Sequence, residues 1–298
     1  AIAKQEELGR QVLADLGFDL EAGRLDVAVH PFCSGTSRDD VRLTTRYSAD
    51  WLPGSLFGTI HEAGHGLYEQ GLPADAVGTP AGGSVSLGIH ESQSRLWENM
   101  VGRSRAFWTH YLPRLKALFP AQLQEIDLDS FYAAVNQVEP SLIRVEADEV
   151  TYNLHILLRF ELERDLLEER VEVAELPSVW NERMQQYLGV RPPDDAQGVL
   201  QDVHWSFGLM GYFPTYTLGN LYGAQFFHQA QQDLPDLQAQ IGRGELLNLK
   251  TWLNDKVHSR GSRLMAGELV EEVTGEKLNA DYFTDYLQKK FGALYELD

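Results

Sequence analysis

Apolar residues recur at three- and four-residue spacing through residues 6–16, 56–68, 94–118, 142–167 and 283–294, the period of helices with one buried face. The chain is therefore expected to be mainly α. One early region breaks the period. Residues 24–32 and 40–47 alternate β-branched with polar positions on either side of the turn-rich tetrad Ser34-Gly35-Thr36-Ser37, which predicts a short β-ribbon in hairpin form. Glycine and proline gather at residues 71–83, 191–193 and 208–214, which read as loops between helices. None of these is long enough to be a clear linker, and neither an internal repeat nor a low-complexity tract appears. One continuous domain over residues 1–298 is the expected division.

Composition supports a globular protein. Of the 298 residues, 43% are hydrophobic and 23% charged, enough for a sizeable core and unlike a disordered chain. The formal charge of −19 argues against nucleic acid as a partner, because binding a phosphate backbone needs a surplus of Lys and Arg on one face. No apolar run reaches the roughly 18 residues of a membrane span, and the first residues lack the basic-then-apolar layout of a secretory signal. The single cysteine, Cys33, can form no internal disulfide. The cytoplasm is the expected compartment, with no membrane partner.

The chemistry begins at His61-Glu62-Ala63-Gly64-His65. On a helix, histidines four residues apart differ by about 40° in rotation and roughly 6 Å along the axis, so both imidazoles reach one ion. Glu62 leaves the same helix beside them, placed to hold a water that zinc would acidify and to take its proton. The pattern fixes few positions, and a surface helix can carry it without a metal. Gly64 and Gly66 weaken the helix that bears it, which predicts close approach of another element.

A catalytic zinc takes three protein ligands and keeps one position open. His90-Glu91-Ser92-Gln93 opens the next helical stretch and offers two candidates for the third ligand. Neighbouring helical residues point about 100° apart, so Glu91 and His90 cannot both readily bind one ion. Chemistry alone favours Glu91 and leaves His90 as a candidate; with Glu91 bound, His90 is expected to orient a ligand from behind.

Further on, Gln201, Asp202, His204 and Trp205 stand together before a glycine-rich turn. His204, or a hydroxyl from Tyr212 or Tyr216, can donate to negative charge developing on a carbonyl oxygen. A buried aromatic cluster with a hydrogen-bonded histidine fits the same residues. Arg144, among apolar neighbours, can grip a carboxylate with its planar fork or form an internal salt bridge to Glu146, Asp148 or another acid, and the residues alone favour the bridge. His30 and Arg42 lie on the predicted ribbon, whose edge can pair with an extended peptide, although Arg42 can equally form a solvated pair with Asp40. His110, His155, His228 and His258 show no ligand spacing and read as ordinary helix residues.

Six ordered motifs now stand in the sequence: His30-Pro31-Phe32; Asp40, Arg42 and Thr44; His61-Glu62 with His65; His90-Glu91-Ser92-Gln93; Ile143-Arg144 with Ala147-Asp148; and Gly198, Gln201-Asp202, His204-Trp205. Together they resemble the carboxypeptidase Taq family of metallocarboxypeptidases. The resemblance implies a helical catalytic domain with an active-site groove, in a homodimer that trims peptides carrying a free C-terminal carboxylate. It implies zinc or cobalt on His61, His65 and Glu91, and it turns Arg144 into the residue that grips the substrate carboxylate. Gln201, Asp202, His30, Arg42 and Tyr216 become candidate substrate contacts, with His204 and Tyr212 as donors in the transition state. The usual N-terminal segment of the family has no counterpart in this chain. That departure leaves two other expectations open, an endopeptidase or oligopeptidase and an inactive metal-binding core that self-associates.

Overall fold

The apolar period near the start appears as helix α1 (Ile2–Leu16), whose buried stripe Leu8, Val12, Leu13 and Leu16 ends where Gly17 enters left-handed backbone at φ 81°. A computed structural model describes residues 1–297, with thirteen α-helices and one three-stranded sheet among them. The mainly helical expectation holds. Two compact units are formed, one from Ala1–Val135 with the chain from Gly219 onward, the other from Asn136–Leu218. Among the described residues no helix is long and apolar enough to cross a membrane.

In the first unit α1 is followed by β1 (Gly23–Val27), β2 (Cys33–Ser37) and β3 (Asp40–Thr45), and then by α2 (Leu52–Gly71). The ribbon differs from the expected hairpin. The polar tetrad, read as a turn, is itself strand: β2 pairs antiparallel with β3 around Arg38 and Asp39, with a register shift between Gly35 and Ser37. The strand expected to be its hairpin partner, β1, runs parallel to β3, with Leu25 opposite Leu43. Leu25, Val41 and Leu43 are buried, and β2 and β3 pack on α2. Burial of one face specifies the strands, whereas alternation alone does not specify the pairing.

Helix α3 (Leu87–Arg95) runs into a π-helical turn, Leu96–Val101. The single helix expected over 94–118 is broken after Gly102, because the Ser104 hydroxyl accepts from Phe107 N and starts α4 (Arg105–Leu118). Short helices α5 (Pro120–Leu123) and α6 (Leu128–Val135) close this segment.

The second unit holds α7 (Tyr152–Leu167) and α8 (Leu176–Leu188) around a small core that includes Leu158, Leu162, Trp180 and Met184. Helix was expected from residue 142, but α7 starts ten residues later. Asp148 Oδ1 accepts from the backbone of Val150 and Thr151, which holds the chain in a turn ahead of the helix, and Arg144–Glu146 forms a separate 3₁₀ turn. Helix α9 (Pro214–Asp233) follows, then α10 (Leu237–Gly242), α11 (Leu247–Lys256), α12 (Ala266–Thr274) and α13 (Asp281–Tyr295).

Candidate metal centre

The motif helix is built for close packing. Leu56, Phe57, Ile60, Ala63, Leu67 and Tyr68 bury one side of α2, while its glycines admit neighbours that a side chain would exclude. A Cβ on Gly64 would stand 2.5 Å from Gln93 O and 2.6 Å from Ser94 Cα, so α3 can lie against α2 only because residue 64 is glycine. Gly66 likewise faces Phe18 and Leu43. The expected close approach is therefore present, and the helix it admits carries Glu91.

His61, His65 and Glu91 each present a ligand atom, and these atoms lie within 4.8 Å of one another. His65 Nε2 is 3.5 Å from Glu91 Oε2. Glu91 is fixed from behind by α9, where a Cβ on Gly219 would meet its Cγ at 2.4 Å, and Arg95 Nε donates to its Oε1 at 3.0 Å. The donor set, two imidazoles and a carboxylate converging on one point, fits a divalent metal.

The charges around the site separate its titrations. Burial would depress His61, but Glu91, the hydrogen bond to Glu98 and Glu62 together raise it to about 9. Burial takes His65 down to about 4, against the pull of Glu91 and with help from His90 and His61. Burial works against ionisation of Glu91, yet His61, His65 and Arg95 hold it at about 2. Without metal the site thus keeps a proton on His61 that an incoming ion must displace. Zinc affinity is expected to rise with pH by up to about tenfold per unit and to level off near pH 9, measured by chelator competition across pH.

Glu62 is 7% exposed and, among the described residues, its carboxyl makes no hydrogen bond to protein. Burial raises it most; His61 offsets this in part, Glu91 and Glu98 add to it, and the carboxyl reaches about 7. A buried acid that titrates near neutrality and has no protein partner is suited to exchanging protons with a bound molecule.

Behind the ligands lie residues that the spacing did not single out. Glu98, from the π-helical turn, is 2.8 Å from His61 Nδ1 and is held by Arg95 and Arg103. Despite its burial, His61 and the two arginines hold its carboxyl well below the usual range. This bond leaves Nε2 of His61 to face the metal position. His90 is not among the three converging residues and meets His65 instead.

In the second unit Arg144 is buried, and the internal salt bridge weighed from the sequence is formed, with Asp202. Its Nη2 donates to Asp202 Oδ1 at 2.6 Å and its Nη1 to the Tyr152 hydroxyl at 3.0 Å. Arg159, fully buried, donates to the other oxygen of Asp202 at 2.6 Å, so two guanidinium groups share one carboxylate. Gln201 accepts from Arg144 N and donates to Leu142 O, tying the two loops together. His204 Nε2 is 2.9 Å from the Tyr216 hydroxyl, and the ring packs among Tyr212, Phe213 and Tyr216. Burial and the charge of Arg144 lower His204 to about 4, so it is neutral at pH 7. The aromatic cluster with a hydrogen-bonded histidine is therefore present.

On the ribbon, Arg42 is exposed and makes a bidentate pair with the half-buried Asp40. His30 is exposed as well, its Nδ1 2.6 Å from Pro31 O. Of the histidines set aside, His258 is buried with its Nε2 2.8 Å from Oε1 of the Gln93 side chain on α3.

A helix bearing two histidines and a buried carboxylate, closed by an acid from the next helix, defines a metallopeptidase type of centre. Residues 1–291 match the carboxypeptidase Taq (M32) metallopeptidase family, and the chain belongs to it. It is 53% identical to thermostable carboxypeptidase 1 of Thermus thermophilus over 99% of this chain and 58% of that protein. With carboxypeptidase 1 of Bacillus subtilis it shares 47% identity over 99% of this chain and 59% of that protein. A crystal structure of an M32 carboxypeptidase from Deinococcus radiodurans R1 superposes with a TM-score of 0.97 at 47% identity, over 99% of this chain and 60% of that one. The chain thus spans less than two thirds of these relatives' length.

Proposed function

We propose that the chain carries the catalytic part of a metal-dependent carboxypeptidase that releases C-terminal amino acids from peptides. Zinc is the proposed metal, with cobalt able to replace it, held by His61, His65 and Glu91. The observation that carries this reading is the partnerless buried Glu62 beside three converging ligand atoms.

A zinc ion there supplies a Lewis acid that polarises a carbonyl and makes water a better nucleophile at neutral pH. Glu62 takes the proton from the attacking water and returns it to the leaving amine, a role its carboxyl near pKa 7 suits. Neutral His204, together with the hydroxyls of Tyr212 and Tyr216, is the proposed donor set for charge developing on the carbonyl oxygen. Arg144 and Arg159 against one Asp202 leave a surplus of buried positive charge, which suits a terminal carboxylate. Gln201 and Asp202 then act by holding Arg144. His30 and Arg42 are proposed to receive the extended peptide along the ribbon. By its family likeness the protein is proposed to be a cytoplasmic homodimer, without nucleic acid or membrane partners.

One observation favours a second reading. The fork of Arg144 is already bonded to Asp202 and Tyr152, and if it stays so, nothing restricts cleavage to the terminal bond. Amidating a peptide's C-terminus separates the two. A carboxypeptidase is expected to lose on the order of 10²-fold or more in kcat/KM, the effect of leaving a buried charge unpaired. An endopeptidase cuts acid and amide alike.

A further inference from the structure

A line of hydrogen bonds runs behind His65. His65 Nδ1 lies 2.6 Å from His90 Nδ1, and His90 Nε2 lies 2.7 Å from Glu69 Oε1. Glu69 leaves α2 one turn beyond His65, so the line starts and ends on the motif helix and passes through α3. The His90 ring is kept in place by the rings of His65 and Tyr68, with centroids at 4.7 Å and 5.1 Å. We propose that Glu69, acting through His90, is a positioning residue that fixes the proton and the ring of His65 and thereby sets the metal affinity. The proposal rests on the ligand assignment made above.

The donors and acceptors allow one consistent arrangement when His65 binds metal through Nε2. A carboxylate only accepts, so Glu69 takes the Nε2–H of His90. The lone pair on His90 Nδ1 is then directed at His65 and accepts its Nδ1–H. His65 Nε2 is left with its lone pair facing Glu91 Oε2 at 3.5 Å, two electron pairs that a cation between them satisfies. Without the carboxylate, His90 is free to carry its proton on Nδ1, where it opposes the Nδ1–H of His65. The ligand then loses its support or turns away.

Glu69 is also a place where positioning can be separated from packing. Its side chain is 27% exposed and lines a cavity of about 240 Å³ with Arg38, Leu72 and Thr79. Changing Glu69 to Gln keeps the shape, opens no hole in the core and alters only charge and hydrogen bonding.

The test measures zinc affinity of the purified chain by competition with a chromogenic chelator, for wild type, Glu69→Gln, His90→Phe and the double variant. The melting temperature of each metal-free chain is recorded alongside. Glu69→Gln and His90→Phe are each expected to bind zinc about 10- to 100-fold more weakly. The double variant is expected to be no weaker than His90→Phe, because Glu69 acts only through His90. Metal-free Glu69→Gln is expected to melt with the wild type. Wild-type affinity in Glu69→Gln overturns the proposal, as do losses that multiply in the double variant or a matching loss of metal-free stability. Affinity is read without peptide, so a chain that binds zinc and cleaves nothing refutes the carboxypeptidase reading alone. A wild-type chain that takes up no zinc overturns both.

Discussion

Glu62→Gln is expected to leave zinc uptake unchanged and to lower peptide hydrolysis by about 10²- to 10⁴-fold, the usual contribution of a general base. The side chain keeps its shape inside α2, and Glu62 is not one of the three converging ligands, so neither the fold nor the ion should be disturbed. What is lost is a carboxyl that has no hydrogen-bond partner among the described residues and titrates near neutrality, at about 7. Single-turnover rates on a short peptide, with zinc content measured on the same sample, separate the two effects. Loss of zinc in step with activity would mean that Glu62 binds the metal rather than the proton. Unchanged hydrolysis would remove it from the mechanism.

The second large effect is expected at Glu91. Glu91→Gln keeps a carbonyl oxygen that can accept from Arg95 but removes the anion from between His65 and His61, and zinc affinity should fall by more than about 100-fold, beyond the loss of an outer hydrogen bond. Gly219→Ala should lower affinity by a smaller factor, without touching any ligand atom. Its methyl group would meet Glu91 Cγ at 2.4 Å, and relief must come from moving α9 or the ligand, at about 1–3 kcal/mol. Chelator competition on both variants checks the order. Equal affinity in wild type and Glu91→Gln would take Glu91 out of the ligand set, leaving the two histidines of α2 to be completed by another group.

Much of this was legible in the sequence because local rules carried it. The apolar period predicted α1, α2 and α13, and the four-residue step between His61 and His65 survives directly as one turn of helix. Gly64 and Gly66 announced close packing because glycine in a helix is unfavourable without a reason. The pairing of β1 with β3 was not legible: alternation reports a buried face, while parallel or antiparallel partnership depends on the path of residues 28–32. The helix start at Arg105 was hidden in one side-chain bond, that of Ser104, and the turn ahead of Tyr152 in the bonds of Asp148, both inside longer apolar runs. Arg144 stood among apolar residues with nearby acids as candidate partners, and only the fold brings Asp202 to it from 58 positions away. Glu98 escaped notice for a similar reason. One signal was available, since Glu91, Arg95 and Glu98 follow a four-then-three step that puts alternating charges on one helical face.

The central claim is stepwise, metal-dependent removal of residues from a free C-terminus by this chain. Mass spectrometry of a free-acid peptide incubated with the purified protein, with zinc and in parallel with a chelator, tests it most directly. A ladder of products shortened from the C-terminus with zinc, and intact peptide with chelator, is the expected result. Internal fragments, a ladder that the chelator does not abolish, or no cleavage by a zinc-loaded chain would contradict it.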